Sequence, residues 1–85
     1  MKPHSSDPLA TLGNVDWLIS NGGEISLGPV GPVECAAVAT DESNCLAMLE
    51  RRDGESLHQL LVRLDAAIAR AWDEGEFTDE INPAR

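Results

Sequence analysis

The sequence has no tyrosine, a single phenylalanine and two tryptophans. It therefore lacks the set of aromatic rings on which splayed nucleic-acid bases stack. Basic residues are scarce. Six Lys and Arg stand against fifteen Asp and Glu, a formal net charge of −9 at pH 7. That balance opposes binding to phosphate backbones, which needs an excess of positive charge. It also opposes adsorption to anionic membrane surfaces. Neither direct nucleic-acid binding nor membrane binding is expected. The charge suits solubility or a basic partner. No apolar run is long enough to span a bilayer. The opening residues, MKPHSSDPLA, hold no apolar stretch of the signal-peptide kind, so the expected location is cytoplasmic.

Motifs that carry chemistry are missing too. His4, His58, Cys35 and Cys45 show no CxxC, HxxxH or HExxH spacing, and no metal or cofactor is expected. Neither cysteine has a cationic sequence neighbour to lower its thiol pKa. Both read as buried structural cysteines and not as nucleophiles. Asp41-Glu42, Asp73-Glu74 and Asp79-Glu80 are adjacent pairs, which do not converge on a helix or strand. Asn21-Gly22-Gly23 and Gly28-Pro29-Val30-Gly31 lack the lysine and following helix of a P-loop. Arg51-Arg52, the only basic cluster, is expected to pair with Glu50, Asp53 or Glu55. With no converging catalytic set, the chain is not expected to be an enzyme.

What is present is a strong helix. Over 55–74, Leu57, Leu60, Leu61, Leu64, Ile68, Ala71 and Trp72 recur at three- and four-residue steps, forming one stripe. Ser56 is placed to cap the first turn, with Gln59 three residues on as in a capping box. Gly75 is placed to end the helix in the left-handed conformation.

The rest of the chain, 85 residues in all, reads as one domain. Residues 1–7 read as a disordered tail. Asp7-Pro8 resembles a helix start, with Leu9 and Leu12 on one face and Gly13-Asn14 as an early stop. Residues 15–27 carry two readings. One is a β-hairpin over Val15–Ser20 and Glu24–Leu27, turning at Asn21-Gly22. The other keeps Asp16–Ser20 helical with Gly22 as the stop. Gly28–Pro32 reads as a loop or an exposed edge. Val33–Thr40 and Cys45–Glu50 read as strands joined by Asp41–Asn44. On the second of these, Leu46 and Met48 would lie on one face and Cys45, Ala47 and Leu49 on the other. Pairing through that turn puts Cys45 opposite Ala39, too far from Cys35 for a disulfide. Residues 76–85 read as an acidic tail, in which Phe77 and Ile81 can dock as one short turn. The expected class is α+β: an antiparallel sheet of three to four strands, within 24–50, with one long C-terminal helix packed on it.

This order of strands, with a polar turn and a helix opening at Gly54-Glu55-Ser56-Leu57, resembles the HicB-like domain of bacterial antitoxins. The resemblance spans Glu24 to Glu74. It implies an antitoxin-like protein acting on a protein partner. The family's Pro-Gly-Cys loop is replaced here by Asp41-Glu42-Ser43-Asn44, and no DNA-binding segment follows the helix. No site residue of the family maps onto this chain.

The back of the long helix is not wholly polar. Val62, Ala66 and Ala69 fall opposite the leucine stripe. Alanine is a good helix former anywhere, but valine has no propensity reason to be there. These three residues are the candidate interface, for a protein partner or a homodimer. The leading functional expectation is a small acidic, non-enzymatic protein that acts through protein–protein interaction. The runner-up is a nucleic-acid mimic, whose carboxylates imitate phosphates, or an accessory subunit.

Overall fold

The computed structural model describes residues 12–81, and the readings made for residues 1–11 and 82–85 lie outside that range. The order of elements is α1 (Gly13–Ser20), β1 (Glu24–Val30), β2 (Val33–Thr40), β3 (Cys45–Glu50), α2 (Leu57–Glu74) and β4 (Thr78–Asp79). It is an α+β fold, with α2 laid across the sheet.

Helix α2 begins and ends as its sequence directs. Gln59 N donates to Ser56 Oγ at 3.0 Å, and Ser56 N donates to Gln59 Oε1 at 2.9 Å. This reciprocal pair satisfies two backbone donors that a helix start leaves without partners. Gly75 closes the helix at φ +69°. Its N–H reaches Ala71 O at 3.1 Å, and Glu76 N reaches Arg70 O at 3.3 Å.

The face that α2 buries is narrower than the leucine stripe. Leu60, Leu64, Ala67 and Ile68 are fully buried, with Leu61 and Ala71 packed at the margin. Leu57, 47% exposed, and Trp72, 38% exposed, depart from the expected stripe. Both lie in the terminal turns of α2, beyond the fully buried residues Leu60 to Ile68.

The sheet has the order β1-β2-β3-β4. Strands β1, β2 and β3 are antiparallel, whereas β4 pairs parallel to β3 through Ala47↔Thr78 and Met48↔Asp79. The sheet is therefore mixed, not purely antiparallel. The expected Phe77–Ile81 turn is replaced by this short edge strand, and Phe77 is left 52% exposed. Glu80 N donates to Met48 O at 2.8 Å and extends the pairing.

Gly28–Pro32 resolves as the edge alternative. Strand β1 continues through a bulge between Gly28 and Val30, where Pro29 needs no ladder donor. The hairpin then turns at Gly31-Pro32, with Gly31 at φ +57°. A second bulge lies in β3. Thr40 pairs with Cys45 and Ala39 with Ala47, so Leu46 is the extra residue and joins the core cluster. The expected Ala39–Cys45 register is thus off by one residue. Ala37, Ala39, Ala47 and Leu49 face the helix, and their small side chains bring α2 close to the central strands.

The larger correction is at residues 13–23. Gly13 and Asn14 do not stop a helix; they begin α1. The hairpin reading fails, and Asn21-Gly22 ends the helix. Leu12, Val15 and Leu18 are buried at three-residue steps, a helical period. A strand would have buried Val15, Trp17 and Ile19 together. Gly22 turns the chain at φ +93°, and Gly23 N donates to Leu18 O at 2.8 Å. At Gly23 a Cβ would collide with the Leu18 side chain and lie 2.9 Å from its carbonyl oxygen. Only glycine fits so close to the helix end.

Candidate functional site

The described residues present three regions to solvent that can be weighed as sites. The first is the outer face of α2. Val62 is 42% exposed, Ala66 is exposed and Ala69 is half-buried. Helix α2 packs on β2, β3 and α1. Trp72, three residues beyond Ala69, lies about 60° further round the helix, toward the leucine stripe.

At Trp72 the helix meets α1. The rings of Trp17 and Trp72 pack edge to face, with centroids 5.2 Å apart and planes at 76°. That geometry sets the positive edge of one ring against the negative face of the other. Yet the pair is not core, for Trp17 is 57% exposed. A shallow cleft of about 350 Å³ runs from the pair to the β2–β3 turn, lined by Trp17, Leu18, Asn21, Asp41, Glu42, Ser43 and Trp72. Asp41 holds that turn. Its Oδ1 accepts from Ser43 N at 2.9 Å and from Asn44 N at 2.7 Å. Glu42 is exposed. One of the two sequence readings puts Trp17 on a strand, and the leucine stripe puts Trp72 in the core, so their pairing is not expected from the sequence. The helical alternative for Asp16–Ser20 was the signal that pointed toward it.

What holds α1 in place is Asp65 of α2. Leu12, at the cap position of α1, contributes no side-chain cap. Asp65 does so from across the structure. Its Oδ1 accepts from Asn14 N at 2.8 Å and from Val15 N at 2.9 Å, and its Oδ2 accepts from Asn14 Nδ2 at 3.0 Å. The carboxylate also meets the positive end of the α1 dipole.

The third region is a charged clasp around Arg63. Its Nε donates to Glu55 Oε2 at 2.7 Å, Nη1 to Glu80 Oε2 at 2.9 Å, and Nη2 to both Glu55 Oε1 and Glu50 O at 2.9 Å. Arg52 Nη2 reaches Glu80 Oε2 at 3.4 Å, and Arg52 N donates to Glu55 Oε1 at 2.9 Å. These hydrogen bonds, those from Arg63 first, hold the Glu55 carboxyl down to about 2. Of the partners expected for Arg51-Arg52, Glu55 is engaged: its backbone oxygen accepts from Arg51 Nε at 2.8 Å. The ion-pair partner of Arg52 is Glu80, which lies far away in sequence. The clasp ties the end of β3, the turn after it, the start of α2 and the segment after β4. Its charges satisfy one another, and it reads as structural.

The remaining candidates are dispersed. Cys35 and Cys45 are both free. Cys45 is exposed, contrary to the buried reading, and Cys35 is half-buried. The strand-end position of Cys45 is the reason. Its thiol pKa is raised, chiefly by desolvation, which disfavours the thiolate that a nucleophile needs. His58 is exposed on α2. Among the described residues, no three His, Cys, Asp or Glu side chains gather as a metal site. No helix among them is long and apolar enough to cross a membrane.

No family model, curated protein or solved structure matches the chain.

Proposed function

We propose that this is a small acidic, non-enzymatic protein that works by binding another protein or a second copy of itself. The contact is made by Val62, Ala66 and Ala69 on the outer face of α2. One observation carries the reading: a solvent-facing apolar strip on the helix that also forms the core, with Val62 42% exposed at its start. A thin single-domain core gains from covering such a strip. Alanines allow a partner to approach the helix closely, while valine supplies a branched side chain to bury. An antitoxin-like role on a partner protein is one form of this reading, and a cytoplasmic location accords with it.

Sedimentation velocity across a salt series, on wild type and Val62→Glu, tests the proposal. Self-association through an apolar strip must overcome repulsion between two chains of charge −9, so added salt tightens it by screening. A basic partner weakens with salt instead, and pulldown with both variants detects it. The proposal predicts that Val62→Glu abolishes whichever association is present. A monomer at every salt concentration, with no partner lost on Val62→Glu, overturns it.

A further inference from the structure

The Trp17–Trp72 pair packs α1 against α2 and still leaves ring surface open to solvent, with Trp17 57% and Trp72 38% exposed. They line the cleft of about 350 Å³ that Asp41 and Glu42 also line. Aromatic faces attract cations through the ring quadrupole, and tryptophan does so most strongly. Carboxylates in the same cleft attract the same charge. Of Asp41, the Oδ1 atom is engaged in the turn. Glu42 forms no salt bridge among the described residues. The nearest cationic side chains of α2, those of Arg63 and Arg70, are engaged by Glu55, Glu80 and Glu76.

We infer that this cleft receives a guanidinium or ammonium side chain from a basic segment of a partner protein. The cation lies over a tryptophan face, with the Glu42 carboxylate completing its charge and hydrogen bonding. Arginine fits better than lysine, because its planar group both stacks on the ring and bonds a carboxylate. The inference rests on the reading of the chain as a protein-binding module, and it states which kind of partner is bound. The overall charge of −9 draws such a segment in. Ala69 and Trp72 are neighbours three residues apart on α2, so a partner seated on the Val62 strip can extend to the cleft.

The chain's only two tryptophans are the two at this site, which makes intrinsic fluorescence a selective reporter. The full chain is titrated with a capped hexa-arginine peptide, with hexa-lysine and hexa-glutamate in parallel. The expected result is a saturable change in emission with arginine, a weaker one with lysine and none with glutamate. Affinity falls as salt rises. Trp17→Ala, read by anisotropy of labelled peptide, lowers affinity about two- to fivefold, as expected for an exposed cation–π contact. Glu42→Gln lowers it by about two- to fivefold as well. Glu34→Gln, an exposed carboxylate on β2 away from the cleft, is the control and leaves affinity unchanged. No saturable emission change at low salt overturns the inference. So do equal losses in Glu42→Gln and Glu34→Gln, which mean diffuse attraction to an acidic surface. If arginine binding fails while Val62→Glu still abolishes association, the partner-binding reading stands and this cleft is not part of it.

Discussion

Replacing Asp65 by alanine should loosen α1 and reveal how far this fold depends on one carboxylate. Asp65 accepts from two backbone donors at the start of α1, at 2.8 and 2.9 Å, and from the Asn14 side chain at 3.0 Å. Loss of an N-terminal cap costs about 0.5–2 kcal/mol. Hydrogen bonds to a charged group contribute about 1.5–3 kcal/mol each where water cannot replace them. The site is only partly buried, so water recovers a share, and the expected loss is about 2 kcal/mol. For a domain of this size, each kcal/mol moves Tm by roughly 4–8 °C, which gives a fall of roughly 8–16 °C. Asp65→Asn should lose about half as much, since an amide oxygen can still accept from both backbone N–H groups. Thermal melts followed by circular dichroism and tryptophan emission measure this, because Trp17 rides on α1. Asp73→Ala on the same helix removes an exposed carboxylate and should shift stability by no more than about 0.5 kcal/mol. Equal losses at Asp65 and Asp73, or an Asp65→Ala melt within about 2 °C of wild type, would refute the capping account.

Three further outcomes are expected. Gly23→Ala should be strongly destabilising, by about 1–3 kcal/mol, because its Cβ meets Leu18 and the α1–β1 turn has no slack; a urea midpoint equal to wild type would show that the turn can open freely. Leu64→Ala, at a fully buried position, should cost about 2–5 kcal/mol, whereas Val62→Ala, on the outer face, should cost far less in the monomer; similar denaturation midpoints for the two would mean that the helix buries a different face. Finally, the Glu55 carboxyl is lowered from 4.5 to about 2 in the folded protein by Arg63 and the Arg52 N–H. A lowered folded-state value means that its contribution is complete above about pH 4.5 and is lost as pH falls toward 2. Urea unfolding of wild type and Arg63→Met should therefore converge across that window, and a stability gap independent of pH would contradict the clasp.

The elements that could be read from the chain alone are those whose determinants are local. Helix α2 carries its own cap, stop and apolar period within twenty residues, so Ser56, Gln59 and Gly75 do in the structure what their spacing implies. Strands β2 and β3 have the expected bounds because a polar turn separates two apolar runs. The class, α+β with the long helix on the sheet, follows from that order. Tertiary structure decided what depends on residues far apart. Residues 13–20 have no capping side chain at their own cap position, and Asn21-Gly22 suits a hairpin as well as a helix stop. Asp65, some fifty residues later, settles the matter by capping α1, and close packing of Gly23 on Leu18 fixes the exit. The parallel β4 strand depends on its partner β3, which no local pattern announces. Arg63 pairs with Glu55 just before the start of its own helix, but its bond to Glu80 needs the chain to return along β3. The Trp17–Trp72 pair exists only because α1 is a helix and lies against the C-terminal part of α2. Periodicity shows which residues share a face of one element. Which faces meet is a property of packing between elements, and the meeting of Trp72 with Trp17 was not legible from either helix alone.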